Sequence, residues 1–213
     1  QEAAAGAFVL PDGFGSGYTA QTSHALAALD TRLPRPAPGS GVRVELDADE
    51  GADMRHSSGS AWIRYGATAG AFLDLNGLNR VLSLSVTTRF ADPIGHEPIP
   101  FTELVSLGGE APMSGFYPGR LVGRSAAVAS LRYRWPIWVW LDGTLQAAAG
   151  NAYGEHLNDF RASRLRLSGS LGIESVRSRD GGFELMVGVG TETFDDHARL
   201  DSVHVAVGTN RGF

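Results

Sequence analysis

The chain has 213 residues and a formal net charge of −5, with 28 glycines, 10 prolines and no cysteine. Its length suits one domain or a piece of a larger one, and the lack of Cys excludes a disulfide scaffold, a Cys-ligated zinc site and a thiol nucleophile. All 18 basic residues are Arg, scattered along a mildly acidic chain, which argues against a nucleic-acid platform with its dense basic face.

In chain order, alternation of apolar and polar side chains marks one strand after another, because a strand turns successive side chains to opposite faces. A weak candidate spans 3–10 and a better one 17–30. Over 41–51, Val42, Val44, Leu46 and Ala48 oppose Arg43, Glu45, Asp47 and Asp49. Over 60–75, Ile63, Tyr65, Ala67, Ala69, Ala71 and Leu73 oppose Arg64, Thr68 and Asp74. Over 80–92, Leu82, Leu84, Val86 and Phe90 oppose Ser83, Ser85, Thr87 and Arg89. Candidates 123–135 and 137–150 are parted by a break at Pro136. Over 162–177, Leu165, Leu167, Leu171 and Ile173 oppose Arg164, Arg166, Ser168, Ser170 and Glu174. Strand 182–195 sets Phe183, Leu185, Val187 and Val189 against Glu184, Gly188, Gly190 and Glu192. Strand 199–213 sets Val203, Val205, Val207 and Phe213 against His204, Gly208, Asn210 and Gly212. Nothing reads as a long amphipathic helix, so the class is an all-β meander.

Two architectures share this pattern. In a soluble sandwich the apolar rows form the core and the polar rows meet water. In a membrane barrel the apolar rows meet lipid and the polar rows line a lumen. No apolar run approaches the roughly 20 residues of a spanning helix, which leaves a barrel open. Three features favour it: strands longer than the ~5–6 residues usual in soluble sheets, charges of both signs among Gly and Ser on the polar faces, and aromatics gathered at strand ends (Tyr133, Trp135, Trp138, Trp140, Phe183 and Phe213). The start Gln1-Glu2-Ala3-Ala4 fits either a signal-peptidase product or a fragment boundary.

One connection is long, about 93–122, and a loop of that size in a tight meander is usually functional. It carries Leu107-Gly108-Gly109-Glu110, then Met113-Ser114-Gly115-Phe116-Tyr117-Pro118-Gly119-Arg120, and leads through Arg124 into Ser130-Leu131-Arg132-Tyr133-Arg134-Trp135-Pro136-Ile137 and Trp138-Val139-Trp140-Leu141-Asp142-Gly143. These segments resemble the C-terminal barrel of the bacterial surface antigen family, the BamA/TamA-like superfamily, over about 60–213. The resemblance implies an antiparallel transmembrane β-barrel, of which residues 1–213 would supply the C-terminal nine or ten strands of a probable sixteen. The remainder would lie upstream or in another chain. It also implies that 93–122 is an extracellular or lumenal lid loop.

In that family an Arg of the loop motif pairs with an Asp of the following inward strand. By position, Gly115, Phe116, Gly119 and Arg120 match the loop motif and Asp142 matches the carboxylate, whereas Ser114 stands where the family has the Arg. Either Arg120 or Arg124 then takes over the pairing, or Asp142 pairs with a lumenal Arg such as Arg132 or Arg164. Phe213, ending an alternating strand on its apolar face, reads as the signal that barrel-assembly machinery recognises. The implied setting is the outer membrane, with lipid, β-barrel or secreted protein clients and the assembly machinery as partners. The implied role is insertion or translocation of proteins. A passive structural or pore-forming barrel and a soluble β-sandwich binding protein are the alternatives.

No enzyme, cofactor or nucleic-acid partner is expected. His24, His56, His96, His156, His197 and His204 are too dispersed for a metal site. Gly13 to Gly17 is a turn rather than a nucleophile elbow, and Glu45, Asp47 and Asp49 read as lumenal charge rather than a glycosidase pair.

Overall fold

A computed structural model describes residues 17–32, 39–55, 59–175 and 182–210. Nine strands form one antiparallel sheet in chain order: β1 (Ala20–Asp30), β2 (Gly41–Asp53), β3 (Ala61–Asp74), β4 (Val81–Ile94), β7 (Ser125–Trp138), β8 (Leu141–Tyr153), β9 (Arg166–Ser175), β10 (Gly182–Thr193) and β11 (Leu200–Asn210). Between β4 and β7 lie a 3-10 turn, Phe101–Glu103, and a two-stranded ribbon, β5 (Val105–Leu107) with β6 (Leu121–Gly123). Candidate strand 3–10 and Phe213 fall outside the described residues.

Boundaries shift where the backbone has another use for its hydrogen-bonding groups. The expected break at Pro136 does not occur. β7 runs through it to Trp138, and the register slips between Pro136 and Trp138, so that an irregularity absorbs the ladder N–H that proline lacks. The start of candidate 162–177 is instead a 3-10 turn, Ala162–Arg164, before β9.

The burial pattern is inverted relative to a water-soluble sheet. On the convex face Leu84 is 56% exposed, Leu145 51%, Val187 48% and Val205 59%. On the concave face Arg132, Asp142, Glu174, Ser130, Ser168 and Gln146 are buried. Soluble domains rarely leave contiguous apolar surface of this extent bare. No second sheet covers those rows among the described residues, so the sandwich alternative has no second layer to stand on.

The apolar core sits on the concave side, between the sheet and the segment joining β4 to β7. One cluster packs Ile99 and Val105 of that segment against Trp62, Ala91 and Ala126. A second packs Met113, Phe116 and Leu121 against Val128 and Ala148. β1 and β11 form the two edges of the sheet and do not pair with each other among the described residues. Because every neighbouring pair is antiparallel, the first and ninth strands run in the same direction.

Candidate functional site: the loop seated on the concave face

The long segment folds back over the concave face because its own turns close it into a compact unit. Gly108 and Gly109 take φ of 110° and 86°, a region open to glycine. A Cβ on Gly108 would lie 2.3 Å from the carbonyl oxygen of Tyr117. The Gly109 N–H donates to the Phe116 carbonyl at 2.7 Å, and the Phe116 N–H to that of Met113 at 3.1 Å. The Gly-Gly and Phe-Tyr-Pro segments are thus two sides of one turn.

One end of the segment is anchored near β1. The Tyr18 hydroxyl bonds to Thr102 Oγ1 and donates to Glu103 Oε1 at 2.5 Å, while Arg64 Nη1 lies 3.2 Å from Glu103 Oε2. Burial, then the bond to the Glu103 carboxylate, raise the Tyr18 pKa above its ordinary value. A phenol with a raised folded pKa contributes stability that is intact below about pH 10 and lost as the pH climbs through the raised value. Thermal unfolding followed from roughly pH 8 to 12 is expected to show that alkaline loss, and Tyr18→Phe to flatten it.

The other end sits on β9, β10 and β11. Gly115 presses so closely on β10 that a Cβ there would lie 2.1 Å from the Val189 carbonyl oxygen, and the Phe116 ring occupies the space a Cβ on Gly190 would need, 2.7 Å away. The Gly115 N–H donates to Ser168 Oγ at 3.0 Å and Ser202 Oγ–H donates to the Gly115 carbonyl at 2.7 Å. His204 Nδ1 lies 3.0 Å from the Ser114 carbonyl, which can only accept, so Nδ1 carries the proton. The Tyr117 hydroxyl donates to the Val203 main-chain carbonyl at 3.3 Å, and its ring meets His204 edge-on at 5.1 Å. Arg120 Nη2 lies 3.4 Å from Asp201 Oδ1. Four successive residues of the edge strand, Asp201 to His204, therefore hold the loop.

Gly115 and Phe116 are at the seat, and Arg120 at its rim. Gly119, with φ of 72° and no neighbour within 4 Å of a built Cβ, serves the turn. Neither Arg120 nor Arg124 reaches Asp142. Arg124 lies at the loop end of the sheet, 3.1 Å from Asp92 and also paired with Glu155. The cation beside Asp142 is Arg134, at 3.5 Å, in place of the expected Arg132 or Arg164. The register explains this: Pro136 is opposite Asp142 and Arg134 opposite Thr144, so Arg134 is the diagonal neighbour on the inward row. Arg132 instead bonds Glu174 Oε2 at 2.5 Å and Thr144 Oγ1 at 2.8 Å, with Glu184 at 3.7 Å, and Arg164 pairs with Asp159 at 2.5 Å. The concave face thus divides into a loop seat and, nearer the short turns, a buried ionic lattice.

Sequence reasoning put Ser168, Gly188, Gly190 and His204 on polar rows and Tyr117 in the loop motif without assigning any of them to a site, and did not single out Ser202. Their signal was the run of small residues on the inward rows of β9 and β10, which makes room for a chain segment rather than a side chain.

No family model and no curated protein matches this sequence. Among solved structures the chain is similar to BamA from Haemophilus ducreyi lacking POTRA domains 1–3, a crystal structure, with a TM-score of 0.60 and 13% identity over 89% of this chain and 42% of that one. The likeness supports a BamA-like β-barrel fold, and the chain spans less than half of the BamA chain it matches.

Proposed function

We propose, from the BamA-like barrel fold, that this chain is the C-terminal part of an outer-membrane β-barrel that inserts or translocates other β-rich proteins. The carrying observation is the inverted sheet, apolar and bare outside, ionic and buried inside. Aromatic pairs add support at both ends of the outer face: Tyr65 with Phe90 at one, Tyr133 with Trp135 at the other. Ser125, opposite Phe90, and Trp135 are ten residues apart on β7. That is about 33 Å along the strand and about 25 Å along the axis of a barrel whose strands tilt by about 40°, the height of an outer-membrane apolar band.

The two longest connections between neighbouring strands of the sheet, 95–124 and 154–165, lie at one end of it, with 194–199. This is the extracellular side in the proposal, because outer-membrane barrels keep their longer loops there. The unpaired edges of β1 and β11 offer main-chain groups to which an incoming strand can add. Antiparallel closure between two co-directional edges requires an odd number of further strands, which the rest of the barrel would contribute.

Membrane fractionation tests the setting: the protein is expected to resist carbonate extraction and to migrate differently in gels before and after heating. Val86→Arg, exposed on the outer face opposite Ala129 and midway between the levels of Phe90 and Tyr133, is expected to cost about 2–4 kcal/mol and to abolish most insertion into vesicles. Recovery in the soluble fraction without detergent overturns the reading. A passive barrel or pore is the second reading, favoured by one observation, that Asp142 is paired by Arg134 and not by the loop. Barrel-insertion and conductance assays on the full-length protein separate the two.

A further inference from the structure

Apolar side chains on the outer face of the strands are accounted for by lipid tails, but those on the turns are not. The β7–β8 hairpin turns at residues 139–140, and its tip is the barest apolar surface among the described residues: Trp138 is 66% exposed, Val139 91% and Trp140 59%. The neighbouring turn, between β3 and β4, exposes Leu75 at 53% and Leu78 at 68%. The two tips adjoin because β4 pairs with β7, Val81 opposite Arg134. Arg80, exposed at the foot of the second tip, has no ion-pair partner among the described residues.

We infer that these two hairpin tips form a phospholipid contact, Trp138, Val139, Trp140, Leu75 and Leu78 entering the boundary between headgroups and acyl chains while Arg80 meets phosphate. The inference rests on the membrane-barrel reading. Continuity with the lipid-facing surface selects lipid as the occupant. Trp138 is opposite Leu141, in the same outward row as Trp135 opposite Gly143 and Leu145 opposite Tyr133. Indole suits that boundary because it has an apolar body and one N–H for the headgroup side. An Arg stem reaches along apolar surface to place its charge at the phosphate level. The tips belong to the third to sixth of the nine strands, so the contact lies at the middle of the sheet, away from both of its edges.

Residues 1–213 contain no cysteine, so one introduced there is unique among them. The full-length protein is folded into phosphatidylethanolamine–phosphatidylglycerol vesicles with an environment-sensitive fluorophore on Val139→Cys, and separately on Val86→Cys and Arg161→Cys. Spin-labelled lipids carry the quencher near the headgroup or deep in the acyl chain, and iodide quenches from water. The Val139 probe is expected to lose most of its emission to the shallow lipid quencher and little to iodide or the deep quencher. The Val86 probe, midway along the outer face, is expected to respond to the deep quencher, and the Arg161 probe, on an exposed loop at the other end, to iodide. Quenching of the Val139 probe by iodide alone overturns the inference, as does protection from every quencher, which would mean that a protein module covers the tip. In both cases a lipid-quenched Val86 probe leaves the barrel reading standing. An iodide-quenched Val86 probe overturns that reading together with the inference.

Discussion

Gly115→Ala is expected to unseat the loop while leaving the strands paired. The new methyl would meet the Val189 carbonyl oxygen at 2.1 Å and the Gly190 nitrogen at 2.8 Å, and these are main-chain atoms of a sheet strand that cannot swing aside. Overpacking of this kind costs about 1–3 kcal/mol when the surroundings can relax. Here the cheapest relaxation is departure of the loop from β10, which also breaks the bonds to Ser168, Ser202 and His204. Arg120 then loses Asp201 and becomes a trypsin site. Trypsin digestion of the folded protein is expected to cut after Arg120 much faster in the variant than in the parent, with heat-dependent gel migration retained. Gly208→Ala, with no atom within 4 Å of the added carbon, is the control and is expected to behave as the parent. An unchanged digestion pattern in Gly115→Ala would show that the loop does not depend on this contact.

Arg132→Met is expected to have the largest effect on stability. The guanidinium is buried and serves Glu174 at 2.5 Å and Glu184 at 3.7 Å, with Thr144 accepting a further bond at 2.8 Å. Arg134 also approaches Glu174, at 3.9 Å, but it already faces Asp142. Without Arg132, Glu174 and Glu184 lose that cation while Arg134 is already engaged with Asp142. Removing one partner of a buried pair costs about 3–5 kcal/mol, because the remaining charge has neither water nor a counter-ion. Restoring the balance is expected to recover most of that loss. Arg132→Met combined with Glu174→Gln and Glu184→Gln should unfold in urea much closer to the parent than the single variant does. Equal destabilisation of the single and triple variants would mean that packing, and not charge, carries the role of Arg132.

Nearly all of the sheet was legible in the order of residues. Alternation such as Leu82-Ser83-Leu84-Ser85-Val86 states both that a strand forms and which side chains share a face, and these are local properties of the backbone. Aromatics at strand ends, with charge on the rows facing the other way, pointed to a barrel for the same reason. The loop motif was legible as a motif, because Gly-Gly and Gly-Phe-Tyr-Pro impose a turn wherever they occur. Its partner was not, since pairing across strands depends on register, and a slip of one residue changes every neighbour.

Asp142 shows where that boundary falls. Its own residue type and row made it a buried carboxylate needing a cation, which its sequence position was enough to determine. That the cation is Arg134, on the diagonal of the β7–β8 ladder, came only from the pairing of Pro136 with Asp142. The seat of the loop on Ser202 and His204 likewise depended on folding, because those residues lie some 90 positions from Ser114 and Gly115 and meet them only when the sheet curves. Strand, face and turn follow from short-range sterics and solvation, whereas partners across the concave face are chosen by geometry that no short stretch of chain contains.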